Sequence, residues 1–330
     1  MKNLLKKMLV AVLVGITAVS ATVVETSCKK KTDITVGILQ VGDHDALNKS
    51  RQGFIDTLNK WAKSKNKTIK FDAKNALGDG ANESTYARTL VASKPDLLLG
   101  IATSSANKLA NNTTKIPVLF TAVTDPASAG FSTRSNVTGT SDMNPVEAQI
   151  SLIKTIIPDC KKIGFFYNIN EVNSQTQVIM AKRVCDSLGI SYPKDDYVVD
   201  VASNISTVAA SINGVDAVYI PTDNLLAVNM SNVQRKLINE KKIPVIVGEA
   251  GMCDVGGLAT VSIDYYQLGV QTAEMAIKIL EGKKPADIPF ENYQKETAVR
   301  VNEENARTIF GNDADAKIAA IRNFKSDMNA

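Results

Sequence analysis

"TKIPVLFTAVTDP" (Thr114–Pro126) and "KKIPVIVGEAG" (Lys241–Gly251) share the phrase Lys-Ile-Pro-Val, and in both an apolar run follows and breaks into a polar turn. Four shared letters weigh little, because strands favour Ile and Val anyway. Their surroundings decide. Aligning the two phrases also aligns "KPDLLLGIATSSA" (94–106) with "GVDAVYIPTDNLL" (214–226). In each, an aspartate enters an apolar run that ends in a polar turn opening a helical stretch. Proline suits the first residue of a strand, where its missing N–H costs no ladder bond. The phrase therefore marks the same strand in two similarly wound lobes.

Outward from that strand, apolar runs alternate with segments of helical period, the pattern of βαβ units and parallel sheets. Strand "ITVGILQ" (34–40) leads to a helix over 47–63 that carries Phe54, Leu58 and Trp61 on one face. "TIKFDAKNA", a helix over 83–93, "DLLLGIAT", a helix from Ser105 and "IPVLFTA" complete the first series. The second runs "KKIGFFYN", a helix over 175–188, "YVVDVA", a helix over 203–212, "DAVYIPTD", a helix over 225–239 and "IPVIVGE". Another strand within the phrase "GGLATVSIDYY", a helix over 265–281, "ETAVRVN" and a short helix follow. The fold class is α/β: two Rossmann-like doubly wound lobes joined by about three crossing segments, near 139–145, 255–260 and 285–293. We expect a first lobe of 33–139 plus 257–288 and a second of 140–256 plus 289–330. Several strands between rigid lobes make a hinge that can close on a ligand.

Residues 1–28 read as a targeting segment. Lys2, Lys6 and Lys7 precede an apolar stretch from Met8 to Val24, and polar residues then lead into Cys28. The apolar run approaches the roughly 17 residues a spanning helix needs. Cys28, just after Ser27, fits the lipobox of a lipoprotein signal, with Glu25 where an aliphatic residue is usual; an ordinary exported protein is the alternative. Cys160, Cys185 and Cys253 lack zinc-site spacing and read as small buried hydrophobes, with one disulfide, Cys160 to Cys185, left open. The 330 residues carry a net charge of +4 with no basic stripe, which excludes nucleic acid as an expected partner.

The phrases "DHDALNKSRQGF", "IPVLFTAVTDPASAGF", "NVTGTSDMNP", "IGFFYNINEVNS", "VDAVYIPTDN", "GLATVSIDYYQLG" and "AIKILEGKKPADIP" span nearly the whole chain after residue 33. In order, they resemble the tryptophan/tyrosine-type substrate-binding proteins of ABC importers, of the type I periplasmic-binding-protein fold. One departure is Asp45 after His44, where relatives carry proline. The resemblance implies an extracytoplasmic, lipid-anchored monomer in the periplasm or on the outer face of the cytoplasmic membrane. It further implies an ABC permease as partner, a small amino-acid ligand, no cofactor and no enzymatic activity. No GxGxxG after the first strand, Walker loop, zinc motif or GxSxG elbow appears. The other readings are an exported sensing module for a membrane receptor, or an importer component for a sugar or nucleoside.

Ligands of open α/β sheets bind beyond the carboxyl ends of the strands, which makes the polar residues there the candidates. Thr103, Ser104 and Ser105 open a helix whose free N–H groups and hydroxyls suit a carboxylate, or they simply cap it. Resemblance to branched-chain amino-acid receptors adds Thr124 as a second carboxylate donor. It also makes Glu249 a partner for an α-ammonium group, with Asp223 beside Asn224 as the alternative. Asn168 and Glu171 end another strand and are further candidates. His44, the only histidine, follows the first strand without a metal set or nucleophile around it. Asp125 before Pro126 reads as a turn former, and among the tyrosines only Tyr167 and Tyr265 lie near strand ends.

Overall fold

Both Ile-Pro-Val phrases open a strand, and both prolines are used alike. The computed structural model describes residues 33–325. In it Pro117 O accepts from Leu98 N and Pro244 O from Val218 N, each at 2.9 Å, just ahead of strands β4 (Val118–Val123) and β9 (Val245–Val247). The aligned aspartates also match. Asp96 Oδ2 accepts from Thr35 N at 2.7 Å, and Asp216 Oδ2 accepts from Lys161 N and Lys162 N at 2.8 and 2.9 Å. Each thereby ties the start of one central strand to the next: β3 (Leu97–Ile101) to β1 (Ile34–Gln40), and β8 (Ala217–Ile220) to β6 (Ile163–Asn168).

Two six-stranded sheets result. The first adds β2 (Ile69–Asn75), β5 (Val137–Ser141) and β11 (Glu291–Asn292), in the order β11-β5-β4-β3-β1-β2. The second adds β7 (Tyr197–Val199), β10 (Ala259–Ser262) and β12 (Ala298–Val301), in the order β12-β10-β9-β8-β6-β7. The orders are equivalent strand for strand, and every pairing is parallel except β10 with β12. Helices cover both faces, which is why the central strands read as unbroken apolar runs. On the first sheet, α1 (Asp45–Ser64) covers one face, and α2 (Gly80–Ala92) and α3 (Thr103–Asn112) the other. On the second sheet, α4 (Val146–Ile156) and α5 (Val172–Ser187) pack on one face and α6 (Ile205–Ser211) on the other.

The tail sits differently from expectation. β10 lies in the second sheet, with Ala259 and Val261 in that lobe's core, so 257–262 are not part of the first sheet. The chain crosses after it. Ile263 and Tyr265 enter the first core, and α10 (Tyr265–Leu280) then packs along α1. Residues 291–292 pair with β5, so the last crossing falls within 293–297 rather than before 289. The crossing expected at 139–145 begins only after Ser141, because β5 occupies 137–141. The helix expected over 225–239 is three pieces: α7 (Asn224–Val228), α8 (Met230–Val233) and a π-type stretch Gln234–Glu240. Helix α4 and the short α9 (Ala250–Val255) were not expected at all. The chain closes with α11 (Glu303–Phe310) and α12 (Ala314–Arg322) on the second lobe. Cys160, Cys185 and Cys253 are free and buried, and Cys28 lies outside the described residues.

Candidate functional site

A cavity lies between the lobes, at the carboxyl ends of β1, β4 and β5 on one side and of β8 and β9 on the other. The first lobe and its crossing segments contribute His44, Ala122, Thr124, Asp142 and Tyr265. The second contributes Asn173, Thr222, Asp223, Asn224 and Glu249, and Leu47 and Met252 add apolar wall. Among the described residues no lysine or arginine lines it.

Three carboxyl groups do. Glu249 is the N-cap of α9, accepting from Gly251 N at 2.6 Å and Met252 N at 2.9 Å, and burial pushes its carboxyl up to about 7. Asp223 is the N-cap of α7. It accepts from Leu226 N at 2.8 Å, Asn168 N at 2.6 Å and Ser174 Oγ at 2.8 Å. Burial, reinforced by the nearby Glu171, pushes it up to about 8 despite those donors. Asp142, also raised by burial, accepts from two hydroxyls, Thr124 Oγ1 at 3.1 Å and Tyr265 Oη at 2.8 Å. A carboxyl group shut from water resists charging unless a cation stands beside it.

Among the described residues, two side-chain contacts join the lobes away from the crossing segments that carry Asp142, Asn144 and Tyr265. His44 Nε2 lies 3.2 Å from Asn224 Oδ1, and Gln177 Nε2 donates to Thr124 Oγ1 at 3.2 Å. Gln177 Nε2 also donates to the Thr222 hydroxyl, and its Oε1 accepts from Thr222 N at 3.2 Å. Thr222 therefore keeps its own hydroxyl hydrogen for another acceptor.

Of the ten candidates, His44, Thr124, Asp223, Asn224 and Glu249 meet at the cavity wall; Thr103, Ser104, Ser105, Asn168 and Glu171 are not on it. Ser104 and Ser105 donate to the two oxygens of Glu83 at 2.6 and 2.7 Å, so their hydroxyls are committed within the first lobe. Asn168 and Glu171 stand one layer back. The Glu171 carboxylate accepts from Asn168 Nδ2, Asn173 Nδ2, Asn224 and the Leu225 N–H, buttressing the loop that carries Asp223. Asp125 forms a turn, accepting from Ala127 N and Ser128 N. Tyr167 bonds Asp196 inside the second lobe, away from the cavity. Asp142, Asn173, Thr222 and Gln177 were missed. Asp142 directly follows β5, and recognising that strand would have exposed it. Among the described residues no acid, histidine and cysteine cluster could hold a metal ion.

A family model described as "ABC transporter substrate binding protein" matches residues 35–310. A Clostridioides difficile protein named "Tyrosine-binding protein" is 38% identical over 318 residues, covering 93% of this chain and 88% of the relative. A Streptococcus pneumoniae ABC domain solved in complex with L-Trp is 34% identical with a TM-score of 0.77, over 82% of this chain and 93% of that one. A ligand-free, open substrate-binding protein from Clostridium difficile is 35% identical, over 84% and 94%, with a TM-score of 0.64.

Proposed function

Since the chain belongs to the family of ABC transporter substrate-binding proteins, we propose that its interlobe cavity captures a zwitterionic aromatic amino acid for delivery to an ABC permease. The observation that carries this reading is a cavity walled by both lobes, holding three buried carboxyl groups and no basic side chain. A ligand ammonium supplies the missing cation through a charge-assisted hydrogen bond. Asp142 is best placed to receive it, because helix N–H groups already engage Asp223 and Glu249. The free hydroxyl hydrogen of Thr222 faces the ligand carboxylate. The tyrosine-binding relative and the L-Trp complex support an aromatic side chain. In this reading the lobes are 33–141 with 263–292, and 142–262 with 293–325. The protein works without enzymatic activity, as a monomer held outside the cytoplasmic membrane by a lipid on Cys28, which metabolic labelling with a fatty acid would reveal.

Calorimetry tests the site. L-tyrosine and L-tryptophan should bind, while tyramine, tryptamine and indole-propionate should not. Asp142→Asn should weaken amino-acid binding at least about tenfold, given the roughly 2–5 kcal/mol cost of breaking a buried charged pair. Tryptamine binding as tightly as tryptophan would sink the zwitterion.

A further inference from the structure

Every hydrogen bond of the Glu171 side chain is one it accepts, including two from Asn224: the backbone N–H at 3.0 Å and Nδ2 at 2.6 Å. The Asn224 amide therefore has one orientation, with Nδ2 toward Glu171 and Oδ1 toward His44. A carbonyl oxygen only accepts, so the His44 Nε2 that lies 3.2 Å from it carries the ring hydrogen. Burial pulls the His44 pKa below its ordinary value, so the ring is neutral near pH 7. Its Nδ1 is then a lone-pair acceptor, shut away from water and without a partner among the described residues. A buried acceptor with no donor is destabilising, and this one belongs to a cavity-lining side chain.

An ammonium group does not fill that vacancy: three carboxyl groups in the same cavity are far stronger partners for a cation than a neutral imidazole. What remains for Nδ1 is an uncharged donor. Resting on the amino-acid reading above, we propose that His44 Nδ1 accepts a hydrogen bond from the ligand side chain, a phenol O–H or an indole N–H, and so selects ligands that carry one over phenylalanine. Glu171 and Asn224, from the second lobe, are positioning residues that fix the tautomer.

Tyrosine and phenylalanine differ by one hydroxyl, so the ratio of their dissociation constants reads the contact. For the wild type we expect tyrosine to bind roughly tenfold or more tightly than phenylalanine, because a site built to hydrogen-bond a hydroxyl rejects the analogue lacking it. His44→Leu should bring the ratio close to one, while His44→Asn, which keeps an acceptor near the Nδ1 position, should restore part of it. A purely structural role would weaken both ligands equally and leave the ratio intact. His44 is the sole histidine, so nitrogen NMR of tag-free protein reads its tautomer without ambiguity. We expect Nε2–H, with the Nδ1 resonance moving on tyrosine addition and not on phenylalanine addition. Equal wild-type constants, an unchanged ratio in His44→Leu, or an Nδ1–H tautomer would each overturn the assignment and leave amino-acid binding standing. Failure of every amino acid to bind would overturn both.

Discussion

Glu249 and Asp223 are capping residues and cavity walls at once, and burial gives that double role a pH signature. Their carboxyls sit near 7 and 8 in the folded protein against ordinary values of 4.5 and 3.8. Between those limits the folded state holds protons the unfolded chain has released, so ligand-free stability should fall as pH rises from about 4 toward 8, then level off. His44 acts in the opposite sense. Held neutral, it contributes stability above pH 6.5 that fades as the pH drops and the unfolded chain takes a proton. Comparing variants isolates the acids: in thermal melts, Glu249→Gln should flatten the decline between about pH 5 and 7, and identical slopes would refute it. Lys49 and Asp45 face Glu249 and remain in both proteins. Asp223 and Glu249 were legible from sequence as candidates because each stands one or two residues beyond an apolar run, Asp223 after Pro221-Thr222 and Glu249 after Gly248. Ser104 and Ser105 misled for a physical reason: their partner, Glu83, is brought in by a different helix, and no local spacing announces it.

Helices α1 and α10 meet at two glycines. A Cβ on Gly53 would overlap the carbonyl oxygen of Tyr266, and one on Gly269 would overlap that of Ser50, so the backbones approach as closely as the missing side chains allow. Gly53→Ala or Gly269→Ala should force the helices apart and cost about 1–3 kcal/mol, the usual price of overpacking. Because α1 starts immediately after His44, the shift should also weaken ligand binding. Urea denaturation and calorimetry on the two variants check both effects; wild-type stability would contradict the close crossing. The long amphipathic helices and apolar strands could be read from the sequence. β5 could not, since three of its five residues are Ser or Thr. Its hydroxyls are satisfied at a distance, Thr138 by Ile288 O at 2.8 Å and Thr140 by Thr272 Oγ1 at 2.6 Å, which lets a polar strand lie wholly buried. Missing it hid Asp142.

Across the whole molecule, the lobes touch through His44–Asn224 and Thr124–Gln177, and the fold matches the tryptophan-bound relative better than the open, ligand-free one at almost equal identity. A ligand can favour this arrangement only by contacting both lobes at once. Small-angle scattering should therefore show a larger radius of gyration without ligand and a decrease on saturation with L-tyrosine; an unchanged curve would argue against closure. The order of synthesis adds a last consequence. Phe54 and Leu58 are among the earliest core residues of the first lobe to be made, yet Leu268, Met275 and Ile279, which cover them, are among the last. Until the ribosome has passed residue 280, the first lobe lacks half its lid and cannot bury its own centre. A chain threaded this way stays unfinished for most of its translation.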